Sequence, residues 1–211
     1  MNRFSKNGYS LFKSSLVACF LNYIEYFRPK YFLFENVRNL VYYQNSLILK
    51  IICSFFVQLG YQLKVAILQA GCYGVPQNRK RLFIIGSRFD STIPSFPLPT
   101  HMFSLKQSDT SFKIDDNVFI PVNFKYTIYR MITVEDAIGD LCALSEDYFV
   151  EKDKPYRNKN ELSHYQRILK TGIDDLVSDH YCKRLSALNQ ERIKRIPFKV
   201  GSDWRDLPNI W

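Results

Sequence analysis

A carboxylate stands at the end of an apolar run in the segment YFLFENV, where Glu35 follows four aromatic and aliphatic residues. The run predicts a short strand of the kind that is buried on both faces in a parallel sheet. A carboxylate is costly to bury, and the carboxyl ends of strands in open α/β sheets are where ligands bind. Glu35 is therefore a candidate site residue. The alternative is a structural carboxylate that caps the next turn or pairs with Arg38.

Two arginines form a second candidate in the segment PQNRKRLFII, where Arg79 and Arg81 are separated by one residue. Side chains two positions apart on a strand project to the same face, so the two guanidinium groups are predicted to converge. Their planar forks of N–H donors suit anionic and carbonyl-bearing ligands. The alternative is a solvated basic loop, which is the usual state of a charge run.

The elements that must position these residues alternate between helical and extended patterns. Apolar residues at helical spacing predict one helix over residues 9–27, and a second helix is predicted from the cap candidates Asn45 and Ser46 to Gly60. YFLFENV lies between them, and the strands QLKVAILQA and RLFIIGSR follow, joined by a turn-rich segment and predicted to pair antiparallel. This order indicates an α/β fold.

The sequence changes in character after about residue 91. A proline-bearing connector comes first, and two short capped helices are predicted further on, one over Thr133 to Leu141 and one with Ser186 as its cap and Glu191 in position for ion pairs one turn later. We accordingly predict two regions, residues 1–100 and residues 101–211.

Charge and cysteine content narrow the class of protein. Residues 1–100 carry twelve Lys and Arg against three acidic residues, whereas residues 101–211 carry seventeen of each sign, so the whole net charge of +9 lies in the first region. A one-sided basic surface indicates a polyanionic partner, and the alternative is ordinary solubility charge. Five scattered cysteines without a CxxC pair argue against a disulfide framework and a zinc site, and three dispersed histidines indicate no metal. No apolar run is long enough to span a bilayer.

The two candidate segments together resemble those of the C5-cytosine DNA methyltransferases. That family carries an ENV strand end followed about forty residues later by a Q-x-R-x-R strand start, as FENVRN and LQAGCYGVPQNRKRLFIIGSR do here. The similarity extends to LPTHMFS and ITVEDAIGDL, and DHYCKRLSALNQERIKRIP and GSDWRDLPNIW resemble the maintenance-type enzymes of animals and plants. Nearly the whole chain is covered, and the ordered set is far more specific than Q-x-R-x-R alone.

The resemblance implies a fold and a reaction. Residues 1–100 would form the second half of a Rossmann-like, S-adenosylmethionine-dependent methyltransferase sheet, and residues 101–211 would begin a target-recognition region. In the family, a cysteine thiolate attacks C6 of a flipped-out cytosine, and C5 takes a methyl group from S-adenosylmethionine. Glu35 would then donate to N3, with its neutral form favoured by the apolar strand, while Arg81 would neutralise charge on O2 with support from Arg79.

The remaining expectations concern neighbouring residues, partner and location. Asn36 is expected to hold the turn at the strand end, and both Asn36 and Gln77 are assigned to substrate binding. The implied partner is double-stranded DNA with a flipped cytosine, whose phosphates would follow the basic region. The family implies the nucleus as location, although the sequence has no convincing basic targeting cluster, and no membrane is expected.

Two parts of the family's machinery are not found in this sequence. The nucleophile of the family lies in a Pro-Cys-Gln segment, expected immediately before Met1, and none of the five cysteines here follows a proline. Cys72 lies nearest to the site, at a position where the family does not use a nucleophile. No G-x-G occurs, so no cofactor-binding residue is assigned. We interpret the chain as an internal fragment of the catalytic domain and expect no DNA methylation by it alone.

Two other functions remain open. One is a catalytically inactive nucleic-acid-binding or regulatory module that keeps Glu35, Arg79 and Arg81. The other is a relative of the branch of the family that methylates tRNA cytosine. Competition between a CpG duplex and tRNA would separate the DNA and RNA alternatives.

Overall fold

The computed structural model describes residues 8–103, 109–119, 127–142, 154–155, 162–170, 176–177, 185–199 and 202–207. The chain divides into two compact units, Met1–Val134 and Glu135–Trp211, and each is described by itself. The first unit contains α1 (Gly8–Phe27), β1 (Tyr31–Val37), α2 (Leu47–Gln58), β2 (Tyr61–Gln69), β3 (Lys80–Arg88), β4 (Phe112–Ile114) and β5 (Asn117–Phe119). The second contains α3 (Val134–Ile138, which begins at the boundary), β6 (Lys154–Pro155), α4 (His164–Leu169), β7 (Leu176–Val177) and α5 (Ala187–Arg195). In the part of the chain that is described, no helix is both long and apolar enough to cross a membrane.

The first unit is built on a three-stranded sheet in the order β1-β3-β2, and β3 pairs antiparallel with both neighbours. The predicted order of helices and strands and the antiparallel pairing of β2 with β3 are confirmed. The prediction of a parallel strand buried on both faces is wrong for β1. Phe32 and Phe34 are buried, but Leu33 between them is 59% exposed, because α1 and α2 cover one face of this strand only.

Aromatic side chains fix the two helices to the covered face. The ring of Phe20 on α1 lies 6.1 Å from that of Phe32, 5.3 Å from that of Phe34 and 6.3 Å from that of Phe56 on α2, centroid to centroid. Such edge-to-face and tilted pairs add to the apolar burial. The hydroxyl of Tyr61 donates to the Pro29 carbonyl at 2.6 Å, which ties the start of β2 to the segment entering β1. β1 therefore begins from a firmly held position.

The ends of α2 agree only in part with the predicted caps. Gly60 follows the helix with φ of +83°, a left-handed conformation that glycine adopts without strain, as predicted. Ser46 precedes Leu47 but is itself left-handed, with φ of 67°, and makes no side-chain cap. Its hydroxyl instead donates to the Val41 carbonyl at 2.6 Å.

The second unit confirms two predicted helices. α3 lies within the predicted stretch from residue 133 to residue 141, and α5 starts after Ser186, whose hydroxyl accepts from the Asn189 N–H at 3.4 Å. Glu191 pairs with Lys194 and Arg195, as its spacing predicted. Residues 104, 179–184, 201 and 208–211 of the family-like segments lie outside the described residues. The predicted division of the chain after residue 100 stays a prediction.

Candidate active site

A pocket of about 290 Å³ opens on the face of the sheet that α1 and α2 leave uncovered. Its size is at the lower end of the range for small-molecule sites. The pocket combines one carboxylate and two guanidinium groups with apolar and aromatic walls. The lining residues are Glu35, Leu68, Ala70, Tyr73, Arg79, Arg81, Phe83 and Pro97.

Glu35 and Arg81 meet across the antiparallel pair of β1 and β3. Glu35 stands opposite Phe83, and Arg81 stands opposite Val37, so the two charged residues are diagonal neighbours on one face. Arg81 Nε lies 3.1 Å from Glu35 Oε1, with the Arg81 side chain 24% and the Glu35 side chain 45% exposed. The alternative pairing with Arg38 is wrong in this structure, because the Arg38 guanidinium lies over the Tyr42 ring at 5.9 Å. The Glu35 side chain is 45% exposed, whereas the apolar run predicts a buried carboxylate.

Arg79 lines the same pocket as Arg81, as their two-residue spacing predicted. The Arg79 N–H donates to Gln69 Oε1 at 2.8 Å, and Arg81 Nη1 donates to the Lys80 carbonyl at 2.9 Å. Lys80 stands between these two arginines in the sequence. Burial lowers its pKa most, and the nearby Arg38 charge lowers it further. Four cations are thus concentrated around this strand start.

Asn36 and Gln77 do not line the pocket. Asn36 alternates with Glu35 along β1 and so projects to the opposite face, where its Oδ1 accepts from the Val37 N–H at 2.8 Å. That bond agrees with the expectation that Asn36 holds the strand end. Gln77 is an exposed loop residue whose backbone N–H donates to the Val75 carbonyl at 2.7 Å. The assignment of both residues to substrate binding stays a prediction.

The walls of the pocket were not among the residues predicted from the sequence. Phe83 follows Arg81 by two residues on β3, and Leu68 on β2 stands directly opposite Arg81, so alternation together with strand register could have found both. Tyr73 and Pro97 have no such signal. The Tyr73 hydroxyl donates to the Pro97 carbonyl at 3.0 Å, and burial raises the pKa of this phenol to about 12. The tyrosine therefore enters the pocket as a neutral ring.

Cys72 does not line this pocket. Its side chain is buried, and burial raises the pKa of its thiol, which disfavours the nucleophilic thiolate. Within the described ranges, no three His, Cys, Asp or Glu side chains lie close enough together to hold a metal ion.

The pocket thus places carboxylate acceptors and guanidinium donors beside an aromatic wall. The family model for C-5 cytosine-specific DNA methylases matches residues 3–202 of this sequence. The chain belongs to the C-5 cytosine-specific DNA methylase family, whose members are S-adenosylmethionine-dependent. Its described elements form a mixed α/β fold.

Curated relatives match the chain from end to end. DNA (cytosine-5)-methyltransferase 1 of Mus musculus is 41% identical over 213 residues, which is 100% of this chain and 13% of the mouse protein. The protein of the same name in Gallus gallus is 41% identical over 220 residues, 100% of this chain and 14% of that protein. DNA (cytosine-5)-methyltransferase 2 of Arabidopsis thaliana is 38% identical over 210 residues, 99% of this chain and 14% of that protein. These relatives are consistent with the maintenance type, and the chain spans roughly one seventh of their length.

Proposed function

We propose that the pocket between β1, β2 and β3 is the cytosine pocket of a DNA cytosine-5-methyltransferase of the maintenance type. The observation that supports this best is the Glu35–Arg81 pair at 3.1 Å in a pocket that Arg79 also lines. The proposed substrate is cytosine in CpG DNA, flipped out of its duplex, and the proposed location is the nucleus. The family membership of the chain supports the reaction class.

The three charged residues match the polar edge of cytosine. In the reaction proposed, attack on C6 drives electron density toward N3 and O2 of the ring. Glu35 would accept from the N4 amino group through one oxygen and, in its protonated form, donate its proton to N3 through the other, while Arg81 would donate to O2 and stabilise the charge that develops there. Arg79 would raise the positive potential from the same side. Because Arg81 Nε already contacts Glu35 Oε1, both side chains would have to form their hydrogen bonds to the base in addition to this contact or in place of it.

Among the described residues, no glycine-rich turn leaves open space for the methyl donor. The closest pair of glycines in the chain is Gly71 and Gly74. A Cβ at Gly71 would lie 2.2 Å from the Phe103 ring, and one at Gly74 would lie 2.7 Å from the His101 ring. The space beside both glycines is therefore filled by protein rather than left for S-adenosylmethionine, and no step is assigned to residues of this chain through that cofactor.

The nucleophile is likewise not provided by the described pocket. No cysteine in the sequence follows a proline, and buried Cys72 has a thiol whose pKa is raised by burial. We accordingly propose that the 211-residue chain by itself binds but does not methylate DNA. Incubation with labelled S-adenosylmethionine and a hemimethylated CpG duplex should give no incorporation, while an active methyltransferase in a parallel reaction does. Incorporation by the purified chain would overturn this part of the proposal.

Binding tests the pocket without requiring catalysis. A mispaired base leaves the stack at low cost, so duplexes that differ only in one mispaired cytosine or thymine present the two bases to the pocket. Thymine places a carbonyl where cytosine has its N4 amino group, opposite the Glu35 carboxylate. We expect the cytosine duplex to bind about 5-fold to 150-fold more tightly, corresponding to the usual 1–3 kcal/mol for one polar base contact. The measurement is fluorescence anisotropy at one fixed salt concentration.

A matched pair of variants distinguishes binding in the pocket from a general effect of positive charge. Arg81→Ala removes a cation beside the pocket, and Arg88→Ala removes one at the other end of β3, where Arg88 Nη2 pairs with Asp90 Oδ2 at 3.2 Å. Glu35→Leu should abolish the preference for cytosine. Arg81→Ala should weaken binding of both duplexes, because both bases carry O2, and Arg88→Ala should keep the preference and affect both affinities less. Equal binding of both duplexes by the unmodified chain contradicts the cytosine pocket. Stronger competition by tRNA than by duplex would favour the RNA-directed alternative.

A further inference from the structure

One polar side chain near the pocket is almost completely buried. Gln69 is the last residue of β2, and 2% of it is exposed. It lies at the base of the loop of residues 70–79, which leads into β3 and carries Arg79. A buried amide is costly unless its donors and acceptor are satisfied, so the partners of Gln69 show what its position achieves.

Both the oxygen and the nitrogen of the Gln69 amide form hydrogen bonds to residues at the far end of the loop. Gln69 Oε1 accepts from the Arg79 N–H at 2.8 Å, and Gln69 Nε2 donates to Asn78 Oδ1 at 2.8 Å. The Ala70 N–H also donates to the Arg79 carbonyl at 3.0 Å. The backbone of Arg79 is therefore held on both its N–H and its carbonyl by the two residues that end β2 and begin the loop.

Arg79 depends on that backbone for its place in the pocket. Among the described residues, its guanidinium makes no hydrogen bond or ion pair to another side chain, whereas Arg81 is fixed by Glu35 and by the Lys80 carbonyl. The origin and direction of the Arg79 side chain are then set where the main chain is fixed, at Gln69. We infer that Gln69 is a positioning residue for Arg79 in the pocket, an inference that rests on the proposed cytosine site.

The opposite end of β2 offers a matched control. Gln62 Nε2 donates to the Ser91 carbonyl at 2.6 Å and to the Arg88 carbonyl at 3.3 Å, so this glutamine holds the turn that follows β3. Gln62 and Gln69 are the same residue type on the same strand, and each ties down a loop through its side-chain amide. Only Gln69 acts on a residue that lines the pocket. If Gln69 only held its loop in place, its loss should affect stability without affecting binding, as the loss of Gln62 should.

The experiment compares Gln69→Leu with Gln62→Leu in the full chain. The readouts are the dissociation constants for the mispaired-cytosine and mispaired-thymine duplexes, amide hydrogen exchange at Arg79, and the urea midpoint. Because Arg79 faces the side of the ring that both bases share, we expect Gln69→Leu to weaken binding of both duplexes at least 5-fold and to speed exchange at Arg79 at least 10-fold. Gln62→Leu should shift the urea midpoint by as much as Gln69→Leu does, while it leaves both dissociation constants within 2-fold.

A third variant guards against misfolding of Gln69→Leu. Asn78 is exposed, and Asn78→Ala removes one partner of the Gln69 amide without touching the core. We expect an intermediate loss of affinity for both duplexes, about 2-fold to 5-fold, with an unchanged urea midpoint. Unchanged affinities in both Asn78→Ala and a folded Gln69→Leu overturn the inference and leave the cytosine pocket standing. A chain that never prefers cytosine removes the pocket itself, and the inference with it.

Discussion

Arg81 on β3 reaches diagonally across the sheet to Glu35 on β1, and their side chains join the two strands at the pocket rather than in the core. Both residues are partly exposed, at 24% and 45% of their side chains, so water competes with the pair. Exposed pairs contribute about 0.2–1 kcal/mol to stability. The ion pair therefore contributes little to the stability of the fold, and its position in the pocket is the better explanation for it.

This relationship gives the first prediction. Arg81→Ala should lower the free energy of unfolding by less than about 1 kcal/mol, because the ion pair is solvated. Urea denaturation followed by circular dichroism measures the change, with Arg88→Ala as a control that breaks another exposed pair on the same strand. A loss above about 2 kcal/mol for Arg81→Ala alone would show that the pair is structural.

Gly86 on β3 is predicted to tolerate no side chain. A Cβ there would lie 2.1 Å from the Phe32 ring, and that ring is held by Phe56 at 4.3 Å and Tyr61 at 5.1 Å between centroids. Gly86→Ala should therefore destabilise the first unit by about 1–3 kcal/mol, the usual range for overpacking. Gly86→Ala should reduce stability less in a Phe32→Leu background than in the unmodified chain. A double-mutant cycle measures this difference. Strict additivity would contradict the proposed clash.

The second unit contains a buried ion pair whose loss should be severe. Asp140 Oδ2 pairs with Lys170 Nζ, and Asp140 Oδ1 accepts from Gln166 Nε2 at 3.1 Å. Lys170→Met would leave the buried Asp140 carboxylate without its cation, and we expect a loss of about 3 kcal/mol. Hydrogen exchange of the amides in α4 reports on this unit alone.

The control for that prediction is the exposed pair on α5. Glu191→Gln removes a solvated contact at 3.3 Å from Lys194 and should change stability by no more than about 0.5 kcal/mol. Replacing both buried charges, with Asp140→Leu and Lys170→Met together, should recover part of the loss. If the double variant is no more stable than Lys170→Met, the ion pair stabilises the unit by more than it costs to bury the two charges.

Two cysteines should differ strongly in reactivity. Burial raises the pKa of the Cys53 thiol to about 11, so at pH 8 about one part in a thousand is thiolate. Cys19 is exposed on α1. Iodoacetamide at pH 8 should modify Cys19 well before Cys53 in the native chain, as peptide mass spectrometry would show. The modification of Cys53 should accelerate as the pH rises toward 11 and should become fast at pH 8 after unfolding. Rapid native labelling of Cys53 at pH 8 would contradict its burial.

Local patterns predicted much of the first unit. Helical spacing, turn residues and two-residue alternation gave the order of the elements, the β2–β3 hairpin and the common face of Arg79 and Arg81, all of which depend on residues close in the chain. The same alternation places Asn36 on the face opposite Glu35, away from the pocket.

What local patterns could not give is the pairing of distant strands. β1 was assigned a parallel setting from its apolar composition, whereas its partner β3 begins more than forty residues later and runs in the opposite direction. That pairing alone decides that Glu35 meets Arg81 instead of Arg38. The left-handed Ser46 was likewise unpredictable, because serine in that position usually caps a helix with extended backbone.

The place of β3 in the middle of the sheet has a consequence for recognition. It is bonded to β1 on one side and to β2 on the other, so the backbones that carry Glu35, Arg81 and Leu68 form one hydrogen-bonded frame. Such a frame is preorganised and loses little conformational entropy when a ligand enters. If the proposed cytosine pocket is correct, the energetic cost of recognition would fall on the nucleic acid, which would have to release a base from its stack, and easily unstacked sequences would be favoured kinetically before any base is read.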